Sequence, residues 1–322
     1  MNHRTNGVTQ FLKKGVLKVS IIYNFTERQK SKIIEDSGHD FYRILHYTLI
    51  VLSEQWKLFD LEFFDGYFNG NAIFFCKSEL HGDCVLKICR DFNGALGDYN
   101  ALREYNGRYF VKAFEYDEYG AILLERAIPG KMLSDEPSLE KRLAVFSELF
   151  NGRHIAPKNP QLFDTYTNWL NHCINCIETK REDFKELYFH AIKAREIYTK
   201  MASVYNRKLL IHLDLCGVNI LSCGNGQYKI IDPSTVIGDP VIETGRFIHV
   251  ECYKNEKERG LEKTKTALDY FEKNLNIPNK ILRQCLYLEA VFSACERTQW
   301  GGFGERIFNK ILFAEKLMNE IE

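Results

Sequence analysis

The residues with the clearest chemical meaning are two carboxylates and an amide that lie between Ile211 and Pro240. Asp214 is followed at +5 by Asn219, and Asp232 comes thirteen residues later, at the end of an apolar run. A carboxylate can accept the proton of an attacking hydroxyl group, and carboxylate and amide oxygens suit Mg²⁺. Phosphoryl transfer needs both functions, because its loose transition state is stabilised mainly by positioning and charge neutralisation. The stretch predicts a phosphoryl-transfer site with Asp214 as the base and Asn219 and Asp232 as metal ligands.

Three neighbouring residues need separate interpretation. His212 could indicate acid–base chemistry, but its place just before Asp214 favours a packed, hydrogen-bonded structural histidine. Asp239 is predicted to tie the following loop to a helix that begins near Ile242. Glu243 has two open interpretations, either as a structural residue or as a side chain facing an acceptor pocket.

The composition is that of a globular protein without a strong electrostatic preference. The chain has 322 residues, of which 45% are apolar and 27% charged, and its 43 basic and 43 acidic residues cancel. A neutral balance gives no general attraction to nucleic acid or to an anionic membrane, so neither is an expected partner. No apolar run is long enough to span a bilayer, and ten irregularly spaced cysteines favour reduced thiols. We expect a cytoplasmic protein.

The first part of the chain predicts one long helix followed by a small sheet. Thr26 and Gln29 form a capping box that opens an amphipathic helix toward Val51. Three antiparallel strands, a helix and two further strands follow, separated by turn-forming residues. The predicted strands are Leu58 to Phe64, Ala72 to Lys77, Cys84 to Cys89, Tyr109 to Tyr116 and Ala121 to Arg126, with the helix at Phe92 to Tyr105.

The second part is predicted to be mostly helical. After Pro129 and Gly130 long helical segments dominate, interrupted only by short strands at Asn219 to Leu221 and Tyr228 to Ile231. We therefore predict an α+β fold with two lobes and three regions: an N-terminal extension and helix at 1–51, a nucleotide-binding lobe at 52–127 and a helical lobe at 128–322, which carries the catalytic loop and acceptor site.

The motifs of the second lobe resemble the aminoglycoside phosphotransferase family, whose fold looks like that of protein kinases. The resemblance rests on the run from His212 through Asp214 to Asn219, on Ile231-Asp232-Pro233, and on Gly238-Asp239-Pro240. The residues from Val236 to Glu243 look most like the branch that includes streptomycin 6-kinases and hydroxyurea phosphotransferases. This resemblance implies a bilobal protein-kinase-like fold.

The resemblance also implies a site for ATP, or for GTP, in the first lobe. Lys87 ends a strand at the position from which a kinase-like fold reaches the α- and β-phosphates. The turn from Gly66 to Gly70 could let backbone N–H groups approach phosphates, although a plain hairpin turn is nearly as good an interpretation. The segment from Glu125 to Ala127 resembles the family's linker between lobes, whose main chain would meet the purine edge.

The chain departs from the family pattern at several positions. The helix residue that would pair with Lys87 is Asp98, where relatives usually have Glu. In the catalytic loop Leu213 and Val218 stand where Gly is common, and Cys216 stands where His or Lys is common. The loss of a cation at Cys216 puts the rate in doubt or indicates a different acceptor.

The leading expectation is an ATP- and Mg²⁺-dependent kinase that phosphorylates a hydroxyl group of a small molecule, with streptomycin-type aminoglycosides as first candidates. A nucleotide-binding pseudokinase or regulatory module, or a housekeeping kinase for a small metabolite, are the alternatives. A cationic acceptor would need carboxylates in the second lobe. The available ones are Asp164, Glu178, Glu182, Asp183 and Glu296.

Overall fold

The computed structural model describes residues 23–65, 70–180, 182–252, 257–299 and 303–320. The chain divides into two compact units, one formed by the described residues up to Phe92 with Phe114–Glu125 and the other by Asn93–Ala113 with the chain from Arg126 onward. The division lies near the predicted boundary at 127, but residues 93–113 go with the second unit. The hydroxyl of Tyr105 donates to Leu210 O, and the amide of Val111 donates to Ile230 O.

The first unit contains one long helix and a five-stranded sheet. Helix α1 (Glu27–Gln55) begins with the predicted capping box of Thr26 and Gln29, and it is interrupted at Gly38, where φ is 86°. The sheet has the order β1-β2-β3-β5-β4. Its strands are β1 (Leu58–Phe63), β2 (Asn71–Ser78), β3 (Gly82–Cys89), β4 (Ala113–Asp117) and β5 (Ala121–Glu125).

Alternation of side chains across the strands builds the core of this unit. Phe74 and Leu86 are paired across β2 and β3 and are fully buried, together with Leu45 of α1. The antiparallel pairing of β1, β2 and β3 confirms the predicted three-strand meander. The predicted turn after Asp65, including Gly66, lies outside the described residues, as do residues 1–22.

The second unit is mainly helical, as predicted, with two small strand pairs. Strands β7 (Ile220–Ser222) and β8 (Tyr228–Ile230) form the expected hairpin. Two further strands, β6 (Leu209–His212) and β9 (Thr235–Gly238), pair with each other and were not predicted from the sequence. The helices are α2 (Phe92–Tyr105), α3 (Leu139–Arg153), α4 (Tyr166–Glu178), α5 (Lys185–Ala202), α6 (Ile242–Cys252), α7 (Lys257–Leu275), α8 (Asn279–Gln299) and α9 (Glu305–Asn319).

These strand pairs and helices surround one loop. The loop from Leu213 to Asn219 leaves β6, ends in a 3₁₀ turn at Gly217–Asn219 and continues directly into β7.

All ten cysteines are free thiols. Within the described ranges, no helix has the length and apolar composition required to cross a membrane.

Helices α6 and α8 approach each other closely at Gly245. A β-carbon at this position would lie 2.2 Å from the backbone oxygen of Cys285 and 2.5 Å from its carbonyl carbon. These distances are far below van der Waals contact, and a backbone atom cannot move aside as a flexible side chain can. Glycine is therefore required for the observed spacing of the two helices.

Gly245→Ala should lower the free energy of unfolding by about 1–3 kcal/mol, since α6 and α8 must separate to admit the methyl group. Urea denaturation measures the change. The matched control is Gly260→Ala in α7, where a β-carbon would meet only Cys252 O at 3.5 Å. The control should be neutral or stabilising by about 0.5–1 kcal/mol because alanine favours helix. Equal effects of the two substitutions would contradict the close-packing explanation.

Candidate active site

The loop that carries Asp214 is held at its start by a buried histidine. His212 is fully buried, its Nδ1 accepts a hydrogen bond of 3.1 Å from the amide of Asp214, and its Nε2 lies 3.0 Å from Ile231 O. A carbonyl oxygen can only accept, so Nε2 carries the proton and the imidazole is neutral. Burial lowers the pKa of His212 and favours this neutral form. The prediction of a structural histidine agrees with this geometry.

Asp214 presents a half-buried carboxylate beside Asn219. Its side chain is 40% exposed. The Nδ2 of Asn219 donates to the backbone oxygen of Asp214 at 2.9 Å and approaches its Oδ2 at 3.3 Å. The side-chain amide of Asn219 therefore fixes the loop through its nitrogen. Among the described residues, nothing donates a hydrogen bond to Oδ1 of Asn219.

The hairpin of β7 and β8 brings Asp232 to the same end of the loop. The amide of Ile231 donates to Asn219 O at 3.0 Å, which extends the β7–β8 ladder by one step beyond the pairing of Ile220 with Ile230. Asp232 follows directly, is exposed and has φ of 56°, a left-handed conformation that aspartate tolerates better than most residues. The predicted metal ligands Asn219 and Asp232 thus belong to adjacent positions of one hairpin.

This oxygen donor set fits Mg²⁺. Mg²⁺ is typically held by one or two protein oxygens, with water and substrate phosphates completing its shell. Within the described part of the chain no group of three or more His, Cys, Asp and Glu residues could hold a metal ion. The pair of Asn219 and Asp232 therefore suits a metal that arrives with its own phosphate ligands, and it does not resemble a structural metal centre.

Arg246 is a central residue of the site that was not predicted from the sequence. Its Nε and Nη2 donate to Oδ1 of Asp214 at 2.9 and 2.5 Å. Its Nη1 donates to Oε1 of Glu289 at 2.8 Å and to Oγ of Ser293 at 3.2 Å. Burial opposes the charge of Arg246, but the carboxylates of Glu289 and Asp214 outweigh it and raise its pKa. No local spacing indicates this pairing, because the residues lie far apart in sequence.

Glu243 and Glu251 hold the same loop from the same helix. Oε1 of Glu243 accepts from the amide of His212 at 2.5 Å, and Oε1 of Glu251 accepts from the amide of Gly217 at 3.0 Å. A β-carbon on Gly217 would lie 2.6 Å from the Glu251 oxygen and 2.9 Å from the backbone nitrogen of Ser134. The close approach of these atoms therefore requires glycine at Gly217. Of the two interpretations of Glu243, its contact with His212 supports the structural one.

Glu243 is itself part of a buried charge cluster. Its carboxylate is 1% exposed and pairs with the buried guanidinium of Arg153 and, at 2.6 Å, with Nε2 of His154. Burial opposes ionisation, but Arg153 and His154 lower the pKa of Glu243 to about 2. Asp239 is also structural, as predicted: it accepts from the amide of Val241 at 3.1 Å and pairs with Arg207.

A cavity of about 460 Å³ borders Asp214. Carboxylates dominate the charge of its wall, because Asp98, Glu289 and Glu296 line it together with Asp214, against the single cation Arg246. Trp169 and Ser293 also line it. Of the five carboxylates predicted from sequence to be available to a cationic acceptor, Glu296 alone lines this cavity. Asp164 instead accepts from the amide of Thr165 at 2.7 Å.

The residues predicted for nucleotide binding belong to two different units. In the first unit Lys87 is buried in β3 opposite Ile73 and Ile122, Gly70 has φ of 75° just before β2, and Glu125 ends β5. Ala127 and Asp98 belong to the second unit. The roles of these residues, and the pairing of Asp98 with Lys87, stay predictions. The structure adds that Asp98 lines the cavity beside Asp214.

Comparison with known proteins decides the family. Residues 80–301 match the model of the aminoglycoside/hydroxyurea antibiotic resistance kinases. The chain belongs to this family. The family consists of small-molecule kinases, so the chain is a phosphotransferase that acts on a hydroxyl group. No curated protein matches the chain.

Several solved structures confirm that this family member has a protein-kinase-like fold. The choline kinase LicA from Streptococcus pneumoniae has 14% identity and a TM-score of 0.62, over 86% of this chain and 99% of its own. The aminoglycoside phosphotransferase APH(4)-Ia, in complex with ADP and hygromycin B, has 15% identity and a TM-score of 0.60, over 84% and 95%. Plasmodium vivax ethanolamine kinase has 13% identity and a TM-score of 0.64, over 99% and 95%.

Glu243→Gln should lower the free energy of unfolding by about 3–5 kcal/mol at neutral pH, since Arg153 would remain buried without its partner carboxylate. The pKa of Glu243 falls from 4.5 to about 2 on folding, so its contribution is complete above pH 4.5 and is lost as the pH falls toward 2. Urea denaturation of the wild type and the variant between pH 7 and pH 3 measures this. The difference should be constant above about pH 5 and narrow below pH 4.5. A difference that stays constant down to pH 3 would contradict the role of the ion pair.

Proposed function

We propose that this chain is an ATP- and Mg²⁺-dependent kinase that phosphorylates a hydroxyl group of a cationic small molecule, with streptomycin-type aminoglycosides as first candidates. The observation that carries the proposal is the cavity beside Asp214, whose wall contains Asp98, Glu289 and Glu296. A volume of about 460 Å³ is within the range of roughly 300–1,000 Å³ that is typical of pockets for drug-sized ligands.

The chemistry of the transfer assigns a role to Asp214. The acceptor hydroxyl gives its proton to the carboxylate as its oxygen forms a bond to the γ-phosphorus. The bond from that phosphorus to the bridging β–γ oxygen breaks, and its electrons leave with ADP. Oδ2 of Asp214 is the better oxygen to accept the proton, because Oδ1 already accepts two hydrogen bonds from Arg246.

Asn219 and Asp232 would hold Mg²⁺ through Oδ1 and a carboxylate oxygen. When bound, the metal neutralises the charge of the β- and γ-phosphates. The chain contributes the hairpin that keeps the two ligands adjacent, and the Asp214–Asn219 hydrogen bonds keep the base next to them.

Nucleotide choice is supported by similar structures. The complexes of APH(4)-Ia contain ADP or AMP-PNP, and one of LicA contains AMP. Adenine nucleotides in two different kinases of this fold favour ATP over GTP as the phosphoryl donor. Lys87, Asp98, Gly66, Gly70, Glu125 and Ala127 remain the residues proposed to bind it.

The charge of the cavity favours a cationic acceptor. Desolvation, followed by the nearby Glu289 carboxylate, raises the pKa of Glu296, so this part of the wall holds unfavourable negative charge. An ammonium or guanidinium group of the acceptor would relieve the repulsion and would form a charge-assisted hydrogen bond. Aminoglycosides carry several such groups beside their hydroxyl groups.

A second candidate function is phosphorylation of a small amino alcohol. It is favoured by the structural similarity to the choline kinase LicA and to an ethanolamine kinase, whose named substrates also combine one cation with one hydroxyl group. The cavity volume favours the larger acceptor class, since an amino alcohol would occupy only a small part of it.

The first test is phosphoryl transfer to a panel of aminoglycosides and amino alcohols, followed by mass spectrometry. We expect an ATP- and Mg²⁺-dependent gain of one phosphoryl group on an aminoglycoside, and a loss of kcat by about 10²–10⁴-fold in Asp214→Asn. Thermal shifts with ATP control for nucleotide binding, which the variant should keep. Transfer to amino alcohols alone would favour the second candidate. ATP binding without transfer to any acceptor would indicate a pseudokinase and would sink the proposal.

A second test concerns the acceptor charge. Glu296→Gln should raise KM for a cationic acceptor by about 10–100-fold, the value of a charge-assisted hydrogen bond, and leave KM for ATP unchanged. Asp183→Asn removes the same charge from an exposed residue that does not line the cavity, so it should change neither constant. A similar KM effect from both substitutions would show that only the overall charge matters.

A further inference from the structure

The loop around Asp214 lacks a cation of its own. Between His212 and Asn219 the only charged side chain is Asp214, since His212 is neutral. Cys216 is 3% exposed and its thiol donates only a weak hydrogen bond of 3.8 Å to Oδ1 of Asp214. Burial raises the pKa of Cys216 to about 12, so the thiol stays neutral. Any positive charge that acts on the base must come from another element.

Arg246 supplies that charge from α6. Its Nε and Nη2 both donate to the same oxygen of Asp214, Oδ1, at 2.9 and 2.5 Å. This arrangement differs from the usual fork, in which the two nitrogens bind two oxygens. As a result Oδ2 is left with a single long contact of 3.3 Å from Asn219, in a side chain that is 40% exposed.

Helix α8 holds Arg246 from the other side. Nη1 donates to Oε1 of Glu289 at 2.8 Å and to Oγ of Ser293 at 3.2 Å, one turn further along α8. The side chain of Arg246 is 26% exposed and that of Glu289 is 13% exposed, so the ion pairs are largely protected from water. A guanidinium that is bound at both ends has little freedom to rotate. The close contact of Gly245 with Cys285 fixes the distance between the two helices at the preceding residue.

We propose that Arg246 is the positioning residue of the catalytic base: held by Glu289 on α8, it binds Oδ1 of Asp214 so that Oδ2 faces the acceptor hydroxyl. The arrangement provides from α6 the positive charge that the catalytic loop lacks. It also places a carboxylate of the acceptor cavity, Glu289, in direct contact with the residue that orients the base. This inference rests on the proposed role of Asp214.

A purely structural ion pair would behave differently. If Arg246 only stabilised the fold, its replacement would reduce the folded fraction and leave kcat per folded molecule unchanged. If it blocked the base, its replacement would increase kcat. A positioning residue affects kcat and leaves KM for ATP unchanged, because misplacement of a catalytic group by about 1 Å costs about 10²-fold in rate.

The experiment compares Arg246→Gln and Arg246→Lys with the wild type at saturating ATP and the best acceptor of the panel. We expect kcat to fall by about 10²-fold in Arg246→Gln, with KM for ATP unchanged. Arg246→Lys, which keeps the charge but not the planar fork, should recover part of the loss. In Arg246→Ala, added guanidinium at concentrations below those that denature the protein should restore part of kcat.

Arg207→Gln is the matched control. Arg207 forms a bidentate pair with Asp239, with Nε and Nη2 each 3.1 Å from a carboxylate oxygen, and neither residue lines the cavity. The control should change thermal stability and leave kcat unchanged. Equal losses of kcat in Arg207→Gln and Arg246→Gln, or a higher kcat in Arg246→Gln, would overturn the proposal.

Asp214→Asn separates this proposal from the one on which it rests. Loss of activity in Asp214→Asn together with full activity in Arg246→Gln would overturn the role of Arg246 alone. Full activity in Asp214→Asn would overturn the assignment of the base, and the role of Arg246 with it. Loss in both variants, with partial recovery in Arg246→Lys and with guanidinium, would support both proposals.

Discussion

The site depends on the attachment of the catalytic loop to one side of helix α6. Glu243 accepts from the amide of His212, Arg246 binds the carboxylate of Asp214, and Glu251 accepts from the amide of Gly217. Each contact involves a charged group, and hydrogen bonds to charged groups are stronger than those between neutral groups. The short helix thus fixes the loop at its beginning, at the base and at the turn before Asn219.

The charges that hold the loop are themselves paired in the interior. Arg153 compensates the charge of Glu243, Arg142 lies 3.0 Å from Glu251, and Glu289 shares Arg246 with Asp214. Burial lowers the pKa of His154, so its ring contributes a hydrogen bond to Glu243. Because desolvation of each ion is costly, such pairs add little net stability compared with apolar packing. We interpret them as determinants of geometry. An apolar contact tolerates sliding, whereas an ion pair of this kind specifies which atom faces which.

Sequence reasoning recovered the features that are encoded locally. The capping box of Thr26, the hairpin that joins Asn219 to Asp232, and the structural character of His212 depend on residues that are neighbours along the chain or in one motif. The pair of β6 and β9 was missed because each strand has only four residues, too few to show a clear period. A strand this short forms because its partner is present.

The missed parts of the site are those that depend on tertiary contact. Arg246 meets Asp214, and Glu289 meets Arg246, only after α6 and α8 have packed. Nothing in the spacing of an arginine on a helix distinguishes such a residue from a solvated one. Asp98 was selected as the partner of Lys87, and its place in the cavity wall followed only from the fold. The lack of a cation at Cys216 looked like a defect for the same reason, since the cation beside the base comes from another helix.

The central claim is that this arrangement points Oδ2 of Asp214 at an acceptor hydroxyl in an acidic cavity. The most direct test is a crystal structure with a non-hydrolysable ATP analogue, Mg²⁺ and the unphosphorylated form of an acceptor that the enzyme phosphorylates. We expect an acceptor hydroxyl within about 2.6–3.2 Å of Oδ2, with Arg246 still bound to Oδ1 and a cationic group of the acceptor near Glu296 or Glu289. An acceptor bound outside the cavity, or Arg246 turned away from Asp214 in the complex, would contradict it.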